Sequence, residues 1–126
     1  MPWRNAQDLI RQKIKVGTDL NTADSTFRRV LQANVPIHSS SYGYLGELGF
    51  KVSIGRSKYS VVQVPWEMLR ECYEISTKPS GYTGSEFRRL YPKQAQHHPC
   101  HIHVVGRILE VAGPATLRGE AYYAIE

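Results

Sequence analysis

Seven residues, Ser25-Thr26-Phe27-Arg28-Arg29-Val30-Leu31, are echoed sixty positions later as Ser85-Glu86-Phe87-Arg88-Arg89-Leu90-Tyr91. A segment used twice at a fixed spacing constrains a chain to stack two copies of one unit, so an internal period outranks any local signal. Neighbouring landmarks keep nearly the same offset. Pro2-Trp3 stands against Pro65-Trp66 at sixty-three, while His38 matches His98 and Gly46 matches Gly106 at sixty. Between them, Tyr42, Tyr44, Leu45 and Leu48 fall against Ile102, Val104, Val105 and Ile108. The 126 residues then divide into units 1–63 and 64–126. Each is near the lower size limit for independent stability, so the two are expected to pack together.

Local patterning fills in each unit. From Pro2 to Val16, Trp3, Ala6, Leu9, Ile10 and Ile14 recur at helical spacing, with charged and amide side chains between them. Gly17 ends that helix. A second helix is expected from Thr22 or Asp24, whose short oxygen-bearing side chains suit an N-cap, with Phe27, Val30 and Leu31 inward and Arg28 and Arg29 toward solvent. The stretch from His38 to Gly49 holds three serines and three glycines, poor helix formers that alone read as a loop. Its alignment with the second copy predicts a third helix. Phe50–Ile54 and Tyr59–Val64 then alternate about Gly55-Arg56-Ser57-Lys58 as a β-hairpin.

The second copy is patterned more cleanly. Pro65–Ile75 reads as a helix with Trp66, Met68, Leu69, Cys72, Tyr73 and Ile75 on one stripe. Thr83 with Glu86 reads as a capping box opening the next helix, and Pro92 is expected to stop it. A third helix is expected from Pro99 to Ala112, closed by Gly113-Pro114. Two short strands, Ala115–Arg118 and Ala121–Ile125, flank a turn at Gly119.

Net charge is +5 with a pI near 9.4, and the excess is local. Residues 2–62 hold nine Lys or Arg against four Asp or Glu, whereas residues 65–126 hold seven against seven. A basic excess confined to one half suits a polyanion, with nucleic acid as the default partner. No apolar run approaches the ~20 residues of a membrane span. The polar Arg4-Asn5-Ala6-Gln7-Asp8 breaks any signal-peptide core, and two cysteines, Cys72 and Cys100, fit free thiols in a reducing compartment. A cytoplasmic location is expected.

Helix, helix, helix, hairpin within about sixty residues resembles the winged helix-turn-helix superfamily in element order and length, twice over. The resemblance carries no diagnostic motif. It implies an α+β, mainly α fold of two tandem winged-helix-like units, in which the third helix and the wing commonly contact DNA. By that likeness Ser39, Ser40, Ser41 and Tyr44 would face base edges or phosphates, and Arg28, Arg29, Arg56 and Lys58 would supply phosphate contacts. In the second unit Arg88, Arg89, Arg107 and Arg118 occupy equivalent places, with His101 and Val104 on the helix. The expected function is non-enzymatic binding of duplex DNA through the first unit, without a cofactor. A protein-docking module or a homodimer, with Tyr122-Tyr123 at an interface, is the alternative.

His97-His98-Pro99-Cys100-His101-Ile102-His103 is the competing chemical signal, since imidazole and thiolate bind zinc and related metals. His97 and His101 lie one helical turn apart and His103 points away. On a strand His101 and His103 would share a face. Neither geometry gathers a full set from His97, Cys100, His101 and His103, so no metal site is expected. His101-Ile102-His103-Val104-Val105-Gly106-Arg107 also looks like part of the histidine-triad nucleotide hydrolase motif, but Pro99 stands where that pattern has its first histidine.

Overall fold

The computed structural model describes residues 1–21, 27–55 and 60–125. In chain order these form α1 (Trp3–Lys13), β1 (Arg28–Ser39), β2 (Tyr44–Ile54), β3 (Val61–Pro65), α2 (Trp66–Ser76), α3 (Gly84–Leu90), α4 (Pro92–His97), α5 (His101–Ala112), β4 (Ala115–Arg118) and β5 (Ala121–Ala124). β1, β2 and β3 make one antiparallel sheet in that order, and β4 pairs with β5 in a second, two-stranded sheet.

This architecture overturns the mainly helical plan of two tandem winged-helix units. The chain is α+β with five helices and five strands among its described residues, and the described part of its first half contains one helix rather than three. The part of the expected second helix that is described, from Arg28 onward, is strand β1, and the expected third helix is the end of a long β1–β2 hairpin. The 63/64 boundary of the two-unit plan falls inside β3. Buried residues from Ala6 to Tyr122 form a single core.

The physical reason lies in what Phe50–Ile54 requires. Phe50 and Val52 are buried in the core while Lys51 points out, and their buried backbone N–H and C=O groups need hydrogen-bonded neighbours on both edges. β3 covers one edge. β1 covers the other, placing Val30 opposite Val52, which in turn faces Val62. These three buried valines belong to the core that α1, α2 and α5 complete, with α2 packed directly on β2 and β3. Phe27, Val30 and Leu31 lie at i, i+3 and i+4, but a window that short fits a strand as well.

The far half of the hairpin depends on backbone features that no helix would accept. Gly43 turns the tip with φ +75°, which is inexpensive without a Cβ. Asn34, with φ +54°, is the only described non-glycine residue at positive φ, and it sits where the β1–β2 register slips between Gln32 and Val35. Its Oδ1 accepts a 2.7 Å hydrogen bond from the Trp66 indole N–H, so the bulge is fastened to the start of α2. Asn34→Ala is expected to cost about 2 kcal/mol, about half from a left-handed backbone without an Asn and half from the lost hydrogen bond. Asn34→Gly should cost less, and chemical unfolding of the two variants checks the order.

The second half follows its patterning closely. α2 and α5 carry the expected stripes, and on the wet side of α2 Glu67 pairs with Arg70. Two details differ. Thr83 makes no side-chain cap bond and Glu86 turns to Arg89 instead. α3 does end at Leu90, just before Pro92, as expected, but Pro92 also opens a further helix, α4, from its first turn, where its missing N–H is no loss.

Candidate functional site

The period of two in β1 splits the first arginine pair across the sheet. Arg28 follows Val30 to the inner face and is 4% exposed. Its backbone N–H donates to Asn21 Oδ1 at 2.6 Å. Arg29 stands on the outer face, paired in register with Ser53. Its guanidinium lies 5.2 Å from the Phe27 ring centroid, a contact that steadies the charge while leaving its N–H groups toward solvent. The expectation that both arginines face solvent is therefore corrected for Arg28.

On the same outer face Lys51 stands in register between Gln32 of β1 and Gln63 of β3. Together with Leu31 and Val61 these residues line a shallow groove of about 580 Å³. Sequence reasoning passed over Lys51, Gln32 and Gln63. The alternation of Phe50-Lys51-Val52 was the signal that could have placed Lys51 on the open face.

The remaining expected contacts scatter. Ser39, Ser40 and Ser41 lie at the hairpin tip rather than on a recognition helix, and Tyr44 is buried beside α4 with its hydroxyl accepting from Gln94 Nε2 at 3.0 Å. Burial raises the Tyr44 pKa from its ordinary value. The tip is held to α4 by a 2.7 Å bond between the Tyr42 hydroxyl and His97 Nδ1. A cleft of about 580 Å³ between the tip and the α3–α4 junction includes Ser40, Ser41, Tyr42 and Lys93. Arg56 and Lys58 lie outside the described residues.

Among the second-unit residues, Arg89 is paired with Glu86. Arg107 is tied to Glu110 Oε1 at 2.5 Å and to the Leu20 carbonyl at 3.3 Å, so it serves as a structural clamp. Arg118 stacks 4.5 Å from the Tyr123 ring centroid. Arg88 is exposed, with no carboxylate within ion-pair distance among the described residues, and it lines a second cleft with His103.

The histidine cluster disperses. His97 bonds to Tyr42. His103 has Nδ1 3.5 Å from the Tyr122 hydroxyl, and the partly buried Cys100 precedes α5. No group of three His, Cys, Asp or Glu side chains among the described residues is placed to hold a metal. His101 is the unusual member. It is 2% exposed, its ring is 5.2 Å from that of Phe87, and neither ring nitrogen reaches a hydrogen-bond partner. Burial lowers its pKa from 6.5 to about 4. The nearby Gln63 backbone opposes that shift and His98 adds to it. The buried Cys72 thiol is likewise pushed up by burial, to about 12, which makes it inert rather than nucleophilic.

No helix is long and apolar enough to cross a membrane among the described residues. No family model, no curated protein and no solved structure matches the chain.

Proposed function

We propose that the chain is a non-enzymatic nucleic-acid-binding module whose contact surface is the outer face of the three-stranded sheet. One observation carries the reading, the charge content of β1–β3. Arg29 and Lys51 point outward and neither has a carboxylate within ion-pair distance among the described residues, whereas β1 and β3 contain no Asp or Glu. The one carboxylate of the sheet, Glu47, is at the far end and accepts from its own Leu45 N–H. An unneutralised cationic face flanked by the amides of Gln32 and Gln63 suits phosphate oxygens, which accept from both groups. Gly55 and Ser60, on either side of the segment bearing Arg56 and Lys58, stand at the Arg29 end of this face.

Contacts of this kind release counterions, so binding must weaken with salt. A fluorescein-labelled 20-base-pair DNA, titrated with the chain at several salt concentrations, tests the reading by anisotropy. Arg29→Ala with Lys51→Ala should weaken binding at least about tenfold and flatten the log–log salt slope by about 2, one step per lost phosphate contact. Arg89→Ala, whose charge is already paired, should change little. Binding that ignores the double substitution, or shows no salt dependence, rejects the sheet face as the contact surface.

A docking role is favoured by a different feature. Leu45 is 88% and Leu48 46% exposed, both on the far half of the hairpin, where Leu48 pairs with Pro36. A concentration-dependent increase in solution mass, abolished by Leu45→Ser with Leu48→Ser and indifferent to DNA, would favour that reading.

A further inference from the structure

We propose that the cleft between α3, α5 and the β4–β5 turn binds a phosphomonoester whose body carries hydroxyl groups, a sugar phosphate or the phosphorylated terminal nucleotide of a nucleic acid. The proposal does not depend on the sheet face. The cleft has a volume of about 500 Å³, room for one such molecule.

Arg88 supplies its fixed charge. A Cβ built on Gly84 would lie 3.1 Å from Arg88 Nη1 and 3.2 Å from Ile102 Cδ1, so the guanidinium is folded back over Gly84, beside Ile102, at the cleft. Unlike its neighbour Arg89, it has no carboxylate partner among the described residues. His103 reaches the same space from α5, and the hydroxyls of Thr83 and Ser85 border it. A planar guanidinium, an imidazole and two hydroxyls offer donors from several directions, which matches the tetrahedral oxygens of a phosphate better than a planar carboxylate.

Glu120 is the single carboxylate on the rim. It repels a bare anion, yet it can accept hydrogen bonds from hydroxyl groups on the ligand's body. The donors and the acceptor together therefore select a phosphate joined to a hydroxyl-bearing body over inorganic phosphate alone. Ile102, 7% exposed, and Leu117, 38% exposed, give the sugar an apolar floor between the two polar ends.

Calorimetric titration of the full chain at constant ionic strength tests the site with three probes. These are inorganic phosphate, ribose 5-phosphate, and a tetranucleotide with and without a 5′-phosphate. Ribose 5-phosphate should bind more tightly than inorganic phosphate, and Arg88→Ala should weaken it at least about tenfold, as expected for loss of hydrogen bonds to a charged group. Arg89→Ala should change affinity less than about twofold, because that charge is spent on Glu86. Glu120→Gln should retain phosphate binding and narrow the preference for ribose 5-phosphate. A 5′-phosphate that strengthens tetranucleotide binding through Arg88 identifies a nucleic-acid end as the source. Tighter binding of ribose 5-phosphate than of the tetranucleotide identifies a small metabolite. Absence of saturable binding of ribose 5-phosphate up to about 10 mM, or an affinity untouched by Arg88→Ala, overturns the proposal. All three altered side chains are exposed, so the variants should fold, and circular dichroism checks that they do.

Discussion

Acidification is expected to destabilise the protein by about 3 kcal/mol through His101 alone, about 2 of them already lost at pH 5. The folded ring titrates near 4, below its ordinary value of 6.5, because burial beside Phe87 strips water from the charged form. Burial outweighs the opposing Gln63 backbone contact, so as pH falls the unfolded chain takes up the proton first. The contribution is intact above about 6.5, is lost progressively toward about 4, and changes no further once the folded ring also protonates. Glu67, whose pKa is lowered by its hydrogen bond to Arg70, acts only below the ordinary carboxylate range, outside the upper part of this window. Urea unfolding followed by tryptophan fluorescence at pH 7.5, 6 and 5 measures the effect. In His101→Leu the drop across that interval should shrink by about 2 kcal/mol, whatever the variant's absolute stability. An unchanged drop would show that His101 is not buried neutral.

The second large effect is expected from the smallest possible insertion. Glycine inside α5 costs about 1 kcal/mol against alanine by helix propensity, so Gly106→Ala would strengthen an isolated helix. In the folded chain the added methyl would run into the Tyr122 ring. That ring is 1% exposed and packs 5.8 Å from the Tyr82 ring. Its own backbone is clamped by the paired 2.9 Å bonds between Tyr82 and Tyr122, so it has no room to retreat. Overpacking against such a wall reaches the upper end of the usual ~1–3 kcal/mol. After the propensity gain a net loss of about 2 kcal/mol remains, a fall in Tm of roughly 8 °C for a chain of this size. Calorimetry of Gly106→Ala, and of the same change combined with Tyr122→Leu, should show the second substitution recovering part of the first. A Tm at or above that of the parent chain would remove the close approach on which the argument depends.

Gly106 also shows how the sixty-residue echo misled. Paired with Gly46, it suggested equivalent positions in two helices. Gly46 instead lies in β2 with φ +95°, where a side chain would crowd His38, whereas Gly106 is mid-helix and needed for contact with a tyrosine. Phe87 is a buried helical anchor. Phe27 is half-buried and precedes a strand. Similar short strings were read as one structure because a seven-residue pattern carries no record of its hydrogen-bonding partner.

The elements that were legible are those whose signals are local and redundant. α1, α2 and α5 each present a stripe over 11 or 12 residues, and β4–β5 is bracketed by Gly113-Pro114 and Gly119. α4 was hidden because Pro92 serves equally as a stop and as a first helical residue. At the candidate sites, Arg29 and Arg88 were both marked by sequence, but their working partners were not. Lys51, Gln32 and Gln63 join Arg29 only through strand register, and His103 and Glu120 meet Arg88 only because α5 and the β4–β5 turn pack beside α3.

By itself the sequence determined the basic excess, the amphipathic helices and the alternating strand around Val52, since each depends on side-chain chemistry and spacing within one segment. The tertiary structure decided that residues 28–39 extend along that strand, because the edge of Phe50–Ile54 needed a hydrogen-bonded neighbour and the core needed Val30 opposite Val52. That pairing sent Arg28 inward and Arg29 outward. It also turned two adjacent arginines, indistinguishable in sequence, into one core residue and one surface charge.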